Sequence, residues 1–232
     1  MKNLAACLLL VLLPASAQAD GLPGTFTANL NLTSDYAFRG ISLSDEGPAL
    51  QGSIDWGWEP AGVYAGAWAS TVDLEDASLE IDFYAGLNGV KNDFTWDLGA
   101  IYYAYPGADS DLDYDYWELA LAGGYDFNLF AVSTALNFSP DYFGETGASL
   151  YPAAYLSVPL PHGFTVTGSM GYLLANADDN EIGNYADWSL GMTFDLEGLD
   201  AGIKYKDTSL EDPQDCDDGC DGRVIFNIGK TF

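Results

Sequence analysis

Arg223-Val224-Ile225-Phe226-Asn227-Ile228-Gly229-Lys230-Thr231-Phe232 ends the chain, and read in steps of two it separates into an apolar and a polar face. Val224, Phe226, Ile228 and Phe232 fall on the first; Arg223, Asn227 and Thr231 fall on the second. A period of two is that of an extended strand with one side in an apolar medium. A strand of this kind stopping on an aromatic is the familiar ending of bacterial outer-membrane β-barrels. Phe226, Ile228 and Phe232 are therefore read as the signal offered to the barrel-assembly machinery. Lys230 departs from the pattern on the apolar face, where a long side chain near a membrane edge can carry its amine to the headgroups at small cost.

The same alternation runs back through the chain. Phe26, Ala28, Leu30, Leu32, Tyr36 and Phe38 oppose Thr27, Asn29, Asn31, Thr33, Asp35 and Arg39 in a first segment. Leu50, Ile54, Trp56 and Trp58 oppose Gln51, Ser53 and Asp55; Leu79, Ile81, Phe83 and Leu87 oppose Glu80, Asp82 and Tyr84. Between these two, Val63 to Ser70 sets small residues against aromatics, and its outward side stays open. Continuing to Phe232 gives about 12 segments of roughly the 9 to 11 residues that a bilayer-spanning strand needs. Short turns such as Lys91-Asn92-Asp93 and Glu197-Gly198 alternate with longer acidic connections, among them Ser42 to Gly47, Asp73 to Asp76 and Asp207 to Asp221. Tight turns at one end and longer loops at the other belong to outer-membrane barrels, and an even strand count leaves both termini in the periplasm. A soluble sandwich also alternates, but its strands would not share bilayer length with aromatics crowding the ends of each apolar face. The expected fold is an all-β, antiparallel up-and-down transmembrane β-barrel of about 12 strands.

Residues 1–19 read as a cleaved signal peptide: Lys2, an apolar run from Leu4 to Leu13, and a small-residue site at Ala17-Gln18-Ala19. Residues 20–232 then form one barrel, with no linker composition to divide them. The formal net charge of -28 excludes nucleic acid as a partner, since phosphate neutralisation needs a basic surface. Cys216 and Cys220 sit in the last acidic loop, where a small disulfide is expected; zinc is the alternative, and it would want further ligands.

By LTSDYAFRG (Leu32 to Gly40), PALQGSIDW (Pro48 to Trp56) and GVYAGAWAS (Gly62 to Ser70), the chain resembles the TorF family of porins, small outer-membrane proteins of Gram-negative bacteria. The likeness continues through the loop order to the closing Phe232. It implies an outer-membrane barrel with a channel role, and it transfers no catalytic or ligand residue.

Function is sought on the inward face. Asp35, Asp55, Glu80, Asp82, Asp97, Glu118 and Asp187 are expected to line an acidic wall, and Arg39, Lys204, Lys206 and Arg223 a basic one. The basic residues come from the first and the last two strands, which must be neighbours once the cylinder closes. Two readings stay open: an electrostatic filter preferring cations, or paired charges filling a closed interior. Inward Gly66, Ala122, Ser133, Ser157, Ser169 and Gly191 argue for room in the middle, and inward Tyr64, Trp68, Tyr84, Tyr103, Tyr116 and Tyr155 offer a stacking track to a specific solute. No loop looks long enough to fold inward as a constriction, which favours a monomer. Catalysis is not expected: the one histidine, His162, lies in a short turn away from any nucleophile. The acidic runs at Asp109, Asp111, Asp113, Asp115 and at Asp178, Asp179, Glu181 lack the glycine and glutamate of a calcium loop, so no cofactor or metal site is expected. The resulting expectation is an outer-membrane channel passing small hydrophilic solutes, with lipid and lipopolysaccharide as its surroundings. The alternatives are a plugged structural or adhesive barrel and a substrate-specific channel.

Overall fold

The structure is a computed structural model that describes residues 23–175, 183–211, 216 and 219–232. The leader and the acidic run Asp178, Asp179, Glu181 lie outside the described residues. In chain order the strands are β1 (Thr25–Thr33), β2 (Ala37–Phe38), β3 (Ile41–Ser42), β4 (Ala49–Trp58), β5 (Val63–Leu74), β6 (Ala77–Lys91), β7 (Phe94–Ala104), β8 (Tyr116–Asp126), β9 (Ala131–Ser139), β10 (Ser149–Pro159), β11 (Phe164–Ala175), β12 (Tyr185–Leu196), β13 (Leu199–Thr208) and β14 (Arg223–Thr231). The short hairpin β2–β3 stands apart, and the other twelve strands form the wall. Each wall strand pairs antiparallel with the next one along the chain, and β1 pairs β14 to close the barrel. The terminal residue takes part in that seam: Phe232 N–H donates to Ala28 O at 2.8 Å, and Ala28 N–H donates back at 3.1 Å. Closure leaves no unpaired strand edge, the condition for backbone to sit in hydrocarbon.

Side-chain direction follows the alternation. Leu30, Leu50, Ile54, Phe83, Leu121, Met170, Leu190 and Phe226 are exposed on the outside, whereas Thr27, Asp55, Glu80, Glu118, Asp187 and Lys206 are buried within. Inverting the soluble arrangement in this way is stable only if lipid covers the outer face. The open question on β5 is settled by size: Tyr64 and Trp68 turn inward, leaving Ala65, Ala67 and Ala69 outside. Both described chain ends lie at the short-turn end, since β1 leaves it and β14 returns to it.

Two expectations about the connections are corrected. The expected acidic loop Asp73 to Asp76 is a two-residue turn, Glu75-Asp76, because β5 and β6 continue pairing past a bulge to Leu74 and Ala77. The first strand is shorter than its alternation suggests, ending at Thr33. Residues 34–48 do not rise from the rim; they fold into the lumen, where Tyr36, Phe38 and Leu43 pack against Tyr103, Tyr105 and Tyr116. Tyr36 and Phe38 therefore face the interior, not lipid.

The inward fold has local causes. Ser34 N–H still donates to Phe226 O, and Thr33 Oγ1 then caps Asp35 O at 2.8 Å, turning the chain off the wall. β2 and β3 are joined by Arg39-Gly40, both at positive φ, 45° and 100°. That is the two-residue hairpin turn whose twist suits antiparallel strands, and it strongly prefers glycine at its second position. Gly40 is also pressed against Thr208, with no room for a Cβ. The hairpin is anchored by Ser42 N–H to Gly219 O at 2.8 Å and, beyond it, by Asp73 N–H to Leu43 O at 2.8 Å. Sequence reasoning missed this constriction by judging loops on length. A 15-residue excursion suffices to cross a 12-stranded barrel when its apolar residues have an aromatic wall to meet.

Candidate functional site

The lumen is built from carboxylates held by tyrosines. Tyr84 on β6 reaches across β5 and donates to Asp55 on β4, and between them lies Gly66, in register with both. A Cβ on Gly66 would come within 2.6 Å of the Tyr84 ring, so glycine leaves the space through which the ring passes. Tyr151 on β10 likewise passes over Gly171 on β11 and donates to Asp187 on β12 at 2.7 Å. Tyr64 on β5 lies against Gly86 and Gly99 and donates to Asp97 at 2.9 Å. The expectation that Gly66 opens the middle of the barrel is thus corrected: an aromatic ring fills its space. Tyr64 and Tyr84 form no free stacking track either, because their rings run across the wall and end on carboxylates. Each such bond supplies a donor to a buried acidic group that would otherwise be costly to desolvate.

The segment 34–48 adds a second layer. Arg39, at the tip of the β2–β3 turn, points away from β14 and meets Glu118 on β8. Its Nη2 lies 2.7 Å from both Oε1 and Oε2, and the two side chains are 4% and 0% exposed. Tyr103 Oη at 3.2 Å and Asn137 Nδ2 at 3.0 Å also donate to Glu118 Oε2. The guanidinium lies 4.8 Å from the Phe38 ring centre and 4.3 Å from that of Tyr151, a distance at which an aromatic quadrupole attracts a cation. Tyr36 Oη donates to Glu80 Oε1 at 2.9 Å. Among the described residues Glu80 Oε2 and Asp82 Oδ1 are buried without a hydrogen-bond partner.

The placement of the predicted residues is therefore mixed. Asp55, Glu80, Asp82, Asp97, Glu118 and Asp187 project inward from β4, β6, β7, β8 and β12. Asp35 belongs to the crossing segment and pairs with Arg223, Nε to Oδ2 2.7 Å, while Arg223 also reaches Glu46 at 3.0 Å. Lys204, Lys206 and Arg223 share one wall, with Lys206 and Arg223 directly cross-strand on β13 and β14. Arg39 does not join them; expecting it on the wall is corrected by the early end of β1, which frees it to cross the lumen. Cys216 and Cys220 are joined by a disulfide, and Cys220 O accepts from Thr208 Oγ1 at 2.8 Å. Among the described residues no group of three or more His, Cys, Asp or Glu converges as a metal site. His162 lies exposed in the turn between β10 and β11.

Cavities remain on both sides of the crossing segment. Toward the loop end, about 530 Å³ is lined by Phe38, Leu43, Tyr105, Tyr116, Tyr142 and Phe143. Toward the turn end, about 440 Å³ lies beside Asn31, Asp35, Trp68, Lys204 and Asn227, and about 190 Å³ lies beneath Phe38 and Arg39 against Asp97, Asp187 and Lys206. Ala37 and Lys204 border both of the latter. The lumen is thus polar toward the turn end and aromatic toward the loop end, with Arg39 meeting Glu118 among Phe38, Tyr103 and Tyr151 between them.

Comparison with known proteins places this arrangement. The family described as "Bacterial protein of unknown function (Gcw_chp)" matches residues 16–232, and the chain belongs to that family. No curated protein matches it in sequence. Among solved structures it is similar to the NanC porin (TM-score 0.59, 11% identity, covering 90% of this chain and 99% of the other). It is similar also to the KdgM porin, solved in complex with disordered oligogalacturonate (TM-score 0.57, 7% identity, 89% and 97%). A third is the COG4313 outer membrane channel from Pseudomonas putida F1 (TM-score 0.51, 10% identity, 95% and 100%). At these identities the likeness is one of fold: the chain is a closed 12-stranded antiparallel β-barrel of the kind found in porins and outer-membrane channels.

Proposed function

We propose that this member of the Gcw_chp family is a narrow outer-membrane channel of a Gram-negative bacterium, passing small hydrophilic solutes with a preference for cations. The observation that carries the reading is a lumen holding solvent-sized cavities on both sides of one crossing hairpin. Acidic residues outnumber basic ones 35 to 7, and the loop-end connections are acidic, so the field at the mouth attracts cations and repels anions. The inward carboxylates at Asp55, Asp97 and Asp187 continue that field, while Lys204, Lys206 and Arg223 oppose it from one wall. In this reading residues 1–19 are removed on export, the turn end with both termini faces the periplasm, and the acidic loops meet lipopolysaccharide through divalent bridges. The last strand, with Phe226, Ile228 and Phe232, addresses the assembly machinery. The protein acts as a monomer without a cofactor and is not an enzyme, and its likeness to the TorF porins is part of the same reading.

Planar-bilayer recording tests this directly. Discrete conductance steps with a reversal potential displaced toward the cation in a salt gradient are expected. Absence of steps from folded, inserted protein refutes the channel, and an anion-selective reversal potential refutes the electrostatic part. The buried Arg39–Glu118 pair favours a second reading, a barrel plugged at rest and acting through its loops; that reading requires silence in the same recording.

A further inference from the structure

The carboxylates of the lumen have tyrosine, serine or arginine partners in most cases, whereas two of its cations make no salt bridge among the described residues. Lys206 is 5% exposed and makes no salt bridge or side-chain hydrogen bond among the described residues, with Asp187 and Asp35 acting on it only at longer range; Lys204, two residues before it on β13, is exposed and likewise makes none. Both border the cavity of about 190 Å³ under the crossing hairpin. The stem of Lys206 is buried in the wall, and neither lysine is held by a direct carboxylate contact where it borders the cavity. An acceptor carried by a solute in the cavity can meet them there.

The same cavity offers the opposite charge. Asp97 engages one oxygen, Oδ1, with Tyr64, and Asp187 engages one, Oδ2, with Tyr151; the second oxygen of each makes no hydrogen bond among the described residues. Ser169 and Ser189, hydrogen-bonded to each other at 2.7 Å, complete the polar lining. A simple anion would satisfy the lysines but be repelled by these carboxylates and by the acidic mouth. A simple cation would reverse the problem. A solute carrying both signs satisfies both sets of groups and, being net neutral, passes the mouth freely. At about 30 Å³ per water the cavity has the room of roughly six waters, which suits a solute of a few non-hydrogen atoms. It is well below the 300 Å³ or so of a drug-sized pocket.

We propose that this cavity is a binding station for small zwitterions bearing a carboxylate and an ammonium, the α-amino acid class, with Lys206 and Lys204 receiving the carboxylate and Asp97 the ammonium. Arg39 and Phe38 roof the station, so the hairpin that narrows the channel also shapes its specificity. The inference rests on the channel reading for its access route, but its test does not depend on current.

Saturation-transfer NMR on the detergent-folded full chain compares three probes of one skeleton: L-alanine, propionate, which lacks the ammonium, and L-alaninamide, which lacks the carboxylate. Alanine is expected to bind saturably, and the other two at least tenfold more weakly. Lys206→Met, which keeps the apolar stem, is expected to weaken alanine tenfold or more while the barrel retains its heat-modifiable migration. Propionate binding as well as alanine makes the site a plain anion pocket and overturns the proposal; equal binding of alaninamide overturns it from the other side. Conducting protein that shows no saturable alanine binding also overturns it and leaves the channel standing. Saturable alanine binding by protein that never conducts supports the station and removes the channel.

Discussion

Glu118→Gln isolates the contact that holds the crossing hairpin in place. In the folded protein Arg39 Nη2 lies 2.7 Å from both carboxylate oxygens and the pair is shut away from solvent. Glutamine preserves the shape and one acceptor while removing the charge, leaving the guanidinium buried and uncompensated. Removing one partner of a buried pair costs about 3–5 kcal/mol. On the channel reading the chain has an escape that a compact core lacks: release of residues 34–48 from the lumen would return Arg39 to water. The equilibrium between docked and released hairpin should therefore shift toward release by the lower figure or more, about a hundredfold in population at 1.4 kcal/mol per decade.

Trypsin reads that population. Only seven Lys and Arg residues exist in the chain, and Arg39 is the cleavable one within the crossing segment. While cleavage is slow relative to reclosing, its rate tracks the open fraction. The expectation is about a hundredfold faster cutting after Arg39 in Glu118→Gln, assigned by fragment mass, with unchanged cutting after Lys91, the last residue of β6, as the internal control. A rate within threefold of wild type refutes the view that this pair holds the hairpin. Replacing both partners, Arg39→Met with Glu118→Leu, should recover most of the lost stability in urea unfolding, since an apolar pair of similar volume is often neutral or better than a buried ion pair.

Gly66→Ala should destabilise the barrel by about 1–3 kcal/mol, the usual cost of overpacking, because the new methyl would displace the Tyr84 ring from its path to Asp55. Gly168→Ala, with only Ser189 O at 3.7 Å near the added atom, is the neutral control in the same urea titration. Reduction of Cys216–Cys220 loosens the strand-end loop whose Gly219 O accepts from Ser42 N–H and Arg223, so cleavage after Arg39 should rise several-fold in dithiothreitol; no change separates the disulfide from the hairpin. Asp35→Asn removes the carboxylate that Arg223 Nε meets at 2.7 Å and should also raise cleavage after Arg39. Its effect should be smaller than that of Glu118→Gln, since Arg223 keeps Glu46 and backbone carbonyls as acceptors.

The wall was legible because its signal is redundant. Leu30, Leu50, Phe83, Leu121 and Phe226 each sit among alternating neighbours, and lipid imposes the same rule on every strand. The lumen was legible only as a set of residue types. Inward position can be read from period two, but which carboxylate meets which tyrosine depends on register across three strands, as with Asp55, Gly66 and Tyr84, and no single segment contains that information. The crossing hairpin escaped for a different reason. Tyr36 and Phe38 continue the apolar alternation of β1, so the period predicts lipid contact, while the residues that turn the chain inward, Thr33, Ser34 and Asp35, act through hydrogen bonds to partners nearly two hundred positions away on β14. One local clue was present: Arg39-Gly40 between Ala37-Phe38 and Ile41-Ser42 is a short hairpin, which a bilayer-length strand would not contain.

The distribution of charge binds these observations together. Of the seven basic residues, Lys91 and Lys230 sit at the turn-end rim, Lys2 lies outside the described residues, and the remaining four are Arg39, Lys204, Lys206 and Arg223 inside the barrel. A protein wanting only solubility or a repulsive surface would have no reason to place its few cations where desolvation costs most. Arg39 and Arg223 are spent on the crossing hairpin, one gripping Glu118 and the other Asp35, so charge pairs add to the aromatic packing of Tyr36, Phe38 and Leu43 that seats it. Lys204 and Lys206 make no salt bridge among the described residues and border a cavity. On the proposed reading a solute supplies the contact that they lack, and the acidic loops at the channel mouth would admit it only if it carried no net negative charge.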